Sequence, residues 1–320
     1  SQKSAQAIMT DLLAEAEKAK GIRFPRTKTG QISVSEDALM EIPDSYIDAV
    51  PFLSPWKEYK HSENMISTYL EPKLVRIDGR VHTRFCPIMA SGRTSSRGPN
   101  LQNLPKEERL RGHYIADRGY VICSCDYGQQ ELVTLAQNCY SRYGISRMRE
   151  VINLGIDIHG YVGSRIHGIF KDFPEFTVDD RDIVDMYIEA ILDFKQTDPD
   201  KYGHFRQLSK ALNFGLPGGL GPGTFVTYAK GYGVTLRLEE SKHLCALWKD
   251  TFPEMEYHLS PTPMDDVPDR YVAETLTGRK RVNCSFCAAA NTLFQGFAAD
   301  ISKSAGWELA KEGFGLIGFV

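Results

Sequence analysis

At 320 residues the chain is long enough for one large core or two to three smaller units, and 42% hydrophobic with 25% charged residues leaves little room for extensive disorder. Its apolar runs fall well short of the ~20 residues a membrane span needs, and its start lacks the basic-then-apolar order of a secretory signal, so a cytoplasmic location without a membrane partner is expected. Seven scattered cysteines, an odd number, argue against a disulfide framework, and a net charge of −3 does not by itself announce a nucleic acid.

Residues 1–70 read as helices, with Ile8, Leu12, Leu13 and Ala16 at helical spacing. They are separated by the polar loop GIRFPRTKTGQISVSE and broken by prolines at 25, 43, 51 and 55. The run LVRIDGRVHTRF then alternates about an Asp78-Gly79 turn and predicts a hairpin. YVICSC at 120–125 is a short apolar run suited to a buried strand, followed by a helical pattern through Leu132, Leu135 and Ala136, so Asp126 is expected where strand gives way to helix. From about 146 to 260 the pattern is mostly helical, with an amphipathic stretch from Ile183 to Phe194 and a break at LPGGLGPG. A strand-like YVAETL, a turn at Thr277-Gly278, a long helical pattern over 286–311 and the apolar FGLIGFV complete the chain. Strand-rich parts flanking a helical middle predict an α+β layout, a sheet-based body with an inserted helical lobe.

Charge is unevenly placed. Lys73 to Arg111 carries nine basic against three acidic residues, whereas Lys171 to Phe205 carries ten acidic against four basic, the distribution of a protein with one surface along phosphates. Cys284 and Cys287 form a lone CxxC without a second ligand pair, which reads as structural.

Two segments carry chemistry. In CDYGQQELVTLAQ, Asp126 and the Tyr127 carbonyl face one point at a helix start and suit a hard divalent ion, with Glu131 five residues on; a helix cap is the other reading of Asp126. In HFRQLSKALNFG, Arg206, Lys210 and Phe214 at i, i+4 and i+8 put two cations and a ring on one helical face, which suits a nucleoside triphosphate; a solvated face with a core phenylalanine is the alternative. The glycine cluster after this helix lacks the Lys-Ser/Thr of a phosphate-binding loop and reads as a terminator.

SGRTSSRGPNLQNLP at 91–105, CDYGQQEL at 125–132, the R-x-x-x-K-x-x-x-F-G run at 206–215 and QGFAAD at 295–300 resemble, in order, the motif set of the DNA polymerase I family, family A. STYLEP, DGRVHT, DIH and ETLTGRKR add weaker matches over nearly the whole chain from about residue 21. The resemblance implies a right-hand polymerase with an antiparallel-sheet palm: 1–69 a partial thumb, 70–136 and 272–320 the palm, and 137–271 the helical fingers. It implies template-directed DNA synthesis from deoxynucleoside triphosphates on primer-template DNA, in a bacterial or phage-infected cytoplasm.

By the same resemblance Asp126 and Tyr127 would hold Mg²⁺, and Arg206, Lys210 and His159 the phosphates. Glu131 would close the floor beneath the sugar 2′ position beside Gln130, and Phe214 would pack on the incoming sugar. Arg93, Asn103, Asn291 and Gln295 would lie along primer and template, offering donors to minor-groove acceptors common to all base pairs.

The match departs in two places. Where the family keeps Tyr-Gly after the fingers helix, this chain has Leu216-Pro217-Gly218-Gly219, so the template-positioning role of that tyrosine is not carried over. The family's His-Asp turn, with the second metal-binding Asp, follows a strand like FGLIGFV; the chain ends at Val320, so a further polypeptide segment is expected to supply that residue. The rival readings are a non-catalytic primer-template module or split-polymerase subunit, and a single-subunit RNA polymerase, against which Glu131 and Phe214 speak.

Overall fold

The computed structural model describes residues 2–27, 29–35, 38–39, 42, 46, 50–70, 75–76, 78–105, 108–265 and 267–315. They form two compact units, one made mainly of 1–85 with 96–117 and the other of 86–95 with 118–319.

The first unit starts with α1 (Gln2–Lys20), whose Met9, Leu13 and Ala16 turn one face onto Phe24, Ile32 and Leu53. Glu17 on α1 ties down the polar loop, accepting the Phe24 N–H at 2.8 Å and the Arg26 guanidinium at 2.5 Å. α2 (Leu53–Met65) continues into a widened turn, Ile66–Leu70. Pro55 does not break α2 as the sequence suggested: it lies in the first turn, where its missing N–H has no intrahelical acceptor to lose. The Asp78-Gly79 turn forms where expected, with Gly79 N–H donating to Arg76 O at 2.9 Å, but the ladder beyond it is a single bridge between Val75 and Val81. β1 (Arg84–Cys86) pairs with β2 (Ser95–Arg97), and a short 3₁₀ turn (Leu101–Asn103) precedes α3 (Glu108–Arg111).

The second unit is largely helical. α4 (Gln130–Tyr143), α5 (Arg147–Asn153), α6 (Ile158–His167), α7 (Arg181–Thr197), α8 (Pro199–Gly215), α9 (Pro222–Lys230), α10 (Leu238–Thr251) and α11 (Met255–His258) surround one core in which Leu135, Tyr161, Phe225, Trp248 and Phe252 are fully buried. Aspartates set several helix starts: Asp157 accepts from the His159 N–H, Asp180 from Asp182, and Asp198, followed by Pro199, from Lys201. β3 (Thr262–Met264), β4 (Val267–Glu274) and β5 (Lys280–Cys284) make an antiparallel sheet, with Tyr271 opposite Cys284 and Ala273 opposite Arg281. The turn between β4 and β5 is pinned to the last helix: Asp300 accepts from Thr277 Oγ1 at 2.5 Å and from Arg279 Nε at 2.9 Å. α12 (Phe286–Asn291), a widened turn (Thr292–Gly296) and α13 (Phe297–Lys311) run on continuously, as the pattern over 286–311 predicts.

Helices with a small antiparallel sheet are the expected α+β layout. The expected strand at 120–125 is not formed: the segment is irregular, with Tyr120, Val121 and Ile122 exposed. A strand persists only where a neighbour takes up its N–H and C=O groups, and no strand among the described residues pairs with this one. Residues 316–320 of the apolar FGLIGFV lie outside the described residues. No helix among the described residues is long and apolar enough to cross a membrane.

Candidate active site

The face of α8 that carries Arg206, Lys210 and Phe214 forms as read, all three half-buried. α8 lies against α6, and the two come close because Gly163 presents no side chain: a Cβ there would stand 3.0 Å from the Arg206 nitrogen and 3.1 Å from the Phe205 carbonyl oxygen. Arg206 Nε donates to Asp157 Oδ2 at 2.6 Å, while Lys210 has no hydrogen-bond or ion-pair partner among the described residues. The ring of Phe214 lies 5.4 Å from that of His159.

His159 is almost fully buried at the start of α6. Burial, joined by the charges of Arg206 and Lys210 and opposed by Asp157, pushes its imidazole down to about 4, so it is neutral at ordinary pH. Its Nδ1 faces the Asn213 amide nitrogen at 3.0 Å. Asp157 is held below the usual carboxylate range: burial works against its ionisation, but the Arg206 hydrogen bond and charge and the His159 N–H prevail.

Asp126 lies in the exposed segment leading to α4 and has no hydrogen-bond or ion-pair partner among the described residues. It does not cap α4. That position belongs to Gln129, in the left-handed region at φ 55°, whose side chain donates to Asp157 Oδ1 at 3.3 Å instead of closing its own helix. The two oxygens of Asp157 therefore join the Asp126 loop, through Gln129, to the basic face of α8, through Arg206. Three residues of chain span at most ~11 Å, which bounds how far the Asp126 backbone lies from that of Gln129. Tyr127 is exposed in the same loop.

Glu131, in the first turn of α4, is gripped from two sides, by the Arg93 guanidinium and by Gln295 Nε2 at 3.4 Å. Three residues read separately from sequence thus meet. Gln130 is bound by the last helix instead, its amide donating to Ala298 O at 3.1 Å and Ser302 Oγ at 2.9 Å. Asn291 donates to Gly218 O at 3.4 Å, in a row of three consecutive carbonyls held from outside: His258 Nε2 donates to Pro217 O at 3.0 Å, and Cys287 Sγ lies 3.7 Å from Gly219 O. The segment Pro217–Gly219 is therefore fixed by side chains of α11 and α12. Asn103 belongs to the first unit, where its carbonyl accepts from the Tyr69 hydroxyl at 3.1 Å.

The family model described as DNA polymerase family A matches residues 1–185, more than half of the chain. The chain belongs to DNA polymerase family A. Among family A relatives, DNA polymerase I of Aquifex aeolicus is 29% identical over 287 residues, 89% of this chain and 43% of the relative. The thermostable DNA polymerase I of Thermus aquaticus is 27% identical over 298 residues, 87% of this chain and 31% of the relative. A solved structure, the POL domain of Pol1 from M. smegmatis in complex with DNA primer-template and dNTP, is similar at a TM-score of 0.60 and 26% identity, over 98% of this chain and 51% of that one. The chain thus spans about half or less of the relatives it matches.

Two residues of the site escaped the sequence reading. Asp157 was quoted only as the neighbour of His159, although an Asp directly before a helix marks a cap whose second oxygen is left for another donor. Asn213 lies on the buried flank of α8, where spacing suggests only core, and a single buried Asn carries no signal of its own.

Proposed function

We propose that this chain is the part of a family A polymerase that binds a deoxynucleoside triphosphate against α8 and transfers its nucleotidyl group to a primer 3′-hydroxyl under direction of a template. The observation that carries the reading is the Gln129–Asp157–Arg206 junction, which ties the loop of Asp126 to a half-buried face whose Lys210 is unpartnered among the described residues. In this reading Lys210, Arg206 and His159 hold the phosphates, Phe214 packs on the sugar, and Glu131 lies beneath the 2′ position. Arg93 and Gln295, already on Glu131, with Asn103 and Asn291, lie along the primer-template.

The residues fit Mg²⁺ as far as one carboxylate can. Among the described residues nothing occupies the oxygens of Asp126, and Mg²⁺ is usually held by one or two carboxylates together with substrate phosphates. Among the described residues no group of three acidic, histidine or cysteine side chains is placed to hold a metal. Asp126 and the Tyr127 carbonyl would hold the ion, which when bound neutralises phosphate charge and makes the primer hydroxyl more acidic. The protein's own groups do the rest: α8 spreads positive charge along the triphosphate, and closing around a correct pair excludes water.

The test is Asp126→Ala in the complete reading frame that contains this sequence. Primer extension is expected to vanish while primer-template binding stays near wild type. Retained extension would remove Asp126 from the chemistry.

A further inference from the structure

The ring nitrogens of His159 are not equivalent, and the cause lies in Asn213, which faces one of them, and in Trp248, which holds Asn213. Trp248, on α10 and fully buried, directs its indole Nε1–H at Asn213 Oδ1, 2.8 Å away. An indole nitrogen can only donate, so the atom of the Asn213 amide facing it must be the oxygen. The amide nitrogen therefore faces His159 Nδ1, at 3.0 Å, and an amide nitrogen also only donates. Nδ1 must then present its lone pair, and a neutral imidazole in that state carries its proton on Nε2. All three side chains are at least 97% buried, with exposures of 1% for Trp248, 1% for Asn213 and 3% for His159, so water does not compete for these bonds.

We propose that Asn213, oriented by Trp248, is a positioning residue that fixes His159 as an Nε2–H donor toward the phosphates of the incoming nucleotide. This rests on the nucleotide site proposed above and adds to it the reason why His159 serves as a neutral donor and not as a cation. A charged ring would require a second proton on Nδ1, at the cost of the Asn213 bond. The charged groups that act on the ring are Asp157, on its own helix, and Arg206 and Lys210 on α8; α10 contributes the uncharged Trp248.

The informative variant is Asn213→Asp, which keeps the shape and offers only acceptors. Trp248 holds one oxygen, and the other faces Nδ1 and draws a proton there. The added carboxylate also raises the pKa of the ring. Above that pKa the ring carries its proton on Nδ1 and turns a lone pair to the phosphates; below it both nitrogens are protonated and the donor is restored.

Long-range proton–nitrogen NMR on the chain reports which ring nitrogen is protonated, with His159 assigned by the signals lost in His159→Gln. The wild type is expected to show Nε2–H, and Asn213→Asp to show Nδ1–H at alkaline pH. In the complete reading frame, the KM for a deoxynucleoside triphosphate is expected to stay flat with pH in the wild type. In Asn213→Asp it should rise with pH, to roughly tenfold above wild type, with kcat little changed.

A merely structural asparagine would lower the melting temperature without creating that pH limb. Should Asn213→Asp fail to fold, Trp248→Phe removes the indole N–H together with part of the ring, and its spectrum should show a mixture of tautomers; pure Nε2–H there overturns the role of Trp248. An Nδ1–H wild type overturns the proposal outright. Wild-type KM values in Asn213→Asp, beside a raised KM in Lys210→Ala, overturn the positioning role and leave the nucleotide site standing. If Lys210→Ala also leaves KM unchanged, the site reading fails and this inference fails with it.

Discussion

Asp157 and Arg206 meet at 2.6 Å between the start of α6 and the middle of α8, and the same carboxylate caps α6 through the His159 N–H and receives Gln129. One side chain thus does three jobs that substitutions can separate. Asparagine is as good a cap as aspartate but carries no charge, whereas alanine loses both functions. Asparagine keeps its one oxygen on the cap and turns its amide nitrogen to the Arg206 Nε–H, so Asp157→Asn is expected to cost about 1–2 kcal/mol, the loss of the charge-assisted bond. Asp157→Ala should cost about 2–3 kcal/mol with the cap gone. Urea unfolding measures both; equal losses would show that the cap contributes nothing, and an undiminished Asp157→Asn that the charge contributes nothing.

Acidification should destabilise the protein in two stages. His159 and His258 are both buried, with imidazoles pushed down to about 4, chiefly by burial. A depressed histidine means that the unfolded chain takes up protons first. Stability is therefore full above the unfolded value of about 6.5 and falls as pH drops from there toward about 4. Two such groups give a slope of up to about 2.7 kcal/mol per pH unit. His159→Gln should remove about half of it. Asp157 acts lower: its folded carboxyl is depressed, so its contribution is present above the unfolded value of ~3.9 and is lost as pH falls through the folded one. Unfolding free energies independent of pH between about 6.5 and 4.5 would contradict the burial of both rings.

Helices were the most legible part of the sequence because each carries its own signal, apolar residues at a period of 3.6, as from Ile183 to Phe194. The run 286–311 was read end to end, and the two cations with Phe214 fell on one face as spaced. YVICSC failed for the opposite reason. An apolar run states what could be buried in a sheet, but a strand forms only with a partner that local sequence does not name. The site divides in the same way. Arg93, Glu131 and Gln295 were each legible as motif members, yet that they close on one carboxylate is a long-range fact. Asp157 and Asn213 have meaning only through the atoms opposite them.

Gly163 sets how near α8 comes to α6. Alanine has the better helix propensity by up to about 1 kcal/mol, so a solvent-facing Gly→Ala would stabilise. Here the new Cβ stands 3.0 Å from backbone atoms of Phe205 and Arg206, which cannot rotate away, and overpacking of this kind costs about 1–3 kcal/mol. The balance is a net loss of about 1 kcal/mol for Gly163→Ala and a larger one for Gly163→Val. Because the displaced residue is Arg206 itself, triphosphate KM should rise in parallel with the loss of stability. A stabilised Gly163→Ala would mean that the helices have room to part.

Glu131 offers the clearest test of substrate choice. A lone carboxylate on a first turn could swing aside for an extra hydroxyl, but this one is held by Arg93 on one oxygen and Gln295 on the other. A wall fixed from both sides discriminates by shape, and one oxygen-sized intrusion into such a pocket is worth about 1–3 kcal/mol, or ~10–200-fold in kcat/KM. Glu131→Ala should therefore lower the preference for deoxy- over ribonucleotides by at least about tenfold, mainly by improving ribonucleotide use. Glu131→Gln keeps the volume but loosens the Arg93 grip, and should fall between. Single-nucleotide primer extension with matched deoxy- and ribonucleoside triphosphates gives the ratio directly; a preference unchanged in Glu131→Ala would place the sugar elsewhere and return Glu131 to a structural role between Arg93 and Gln295.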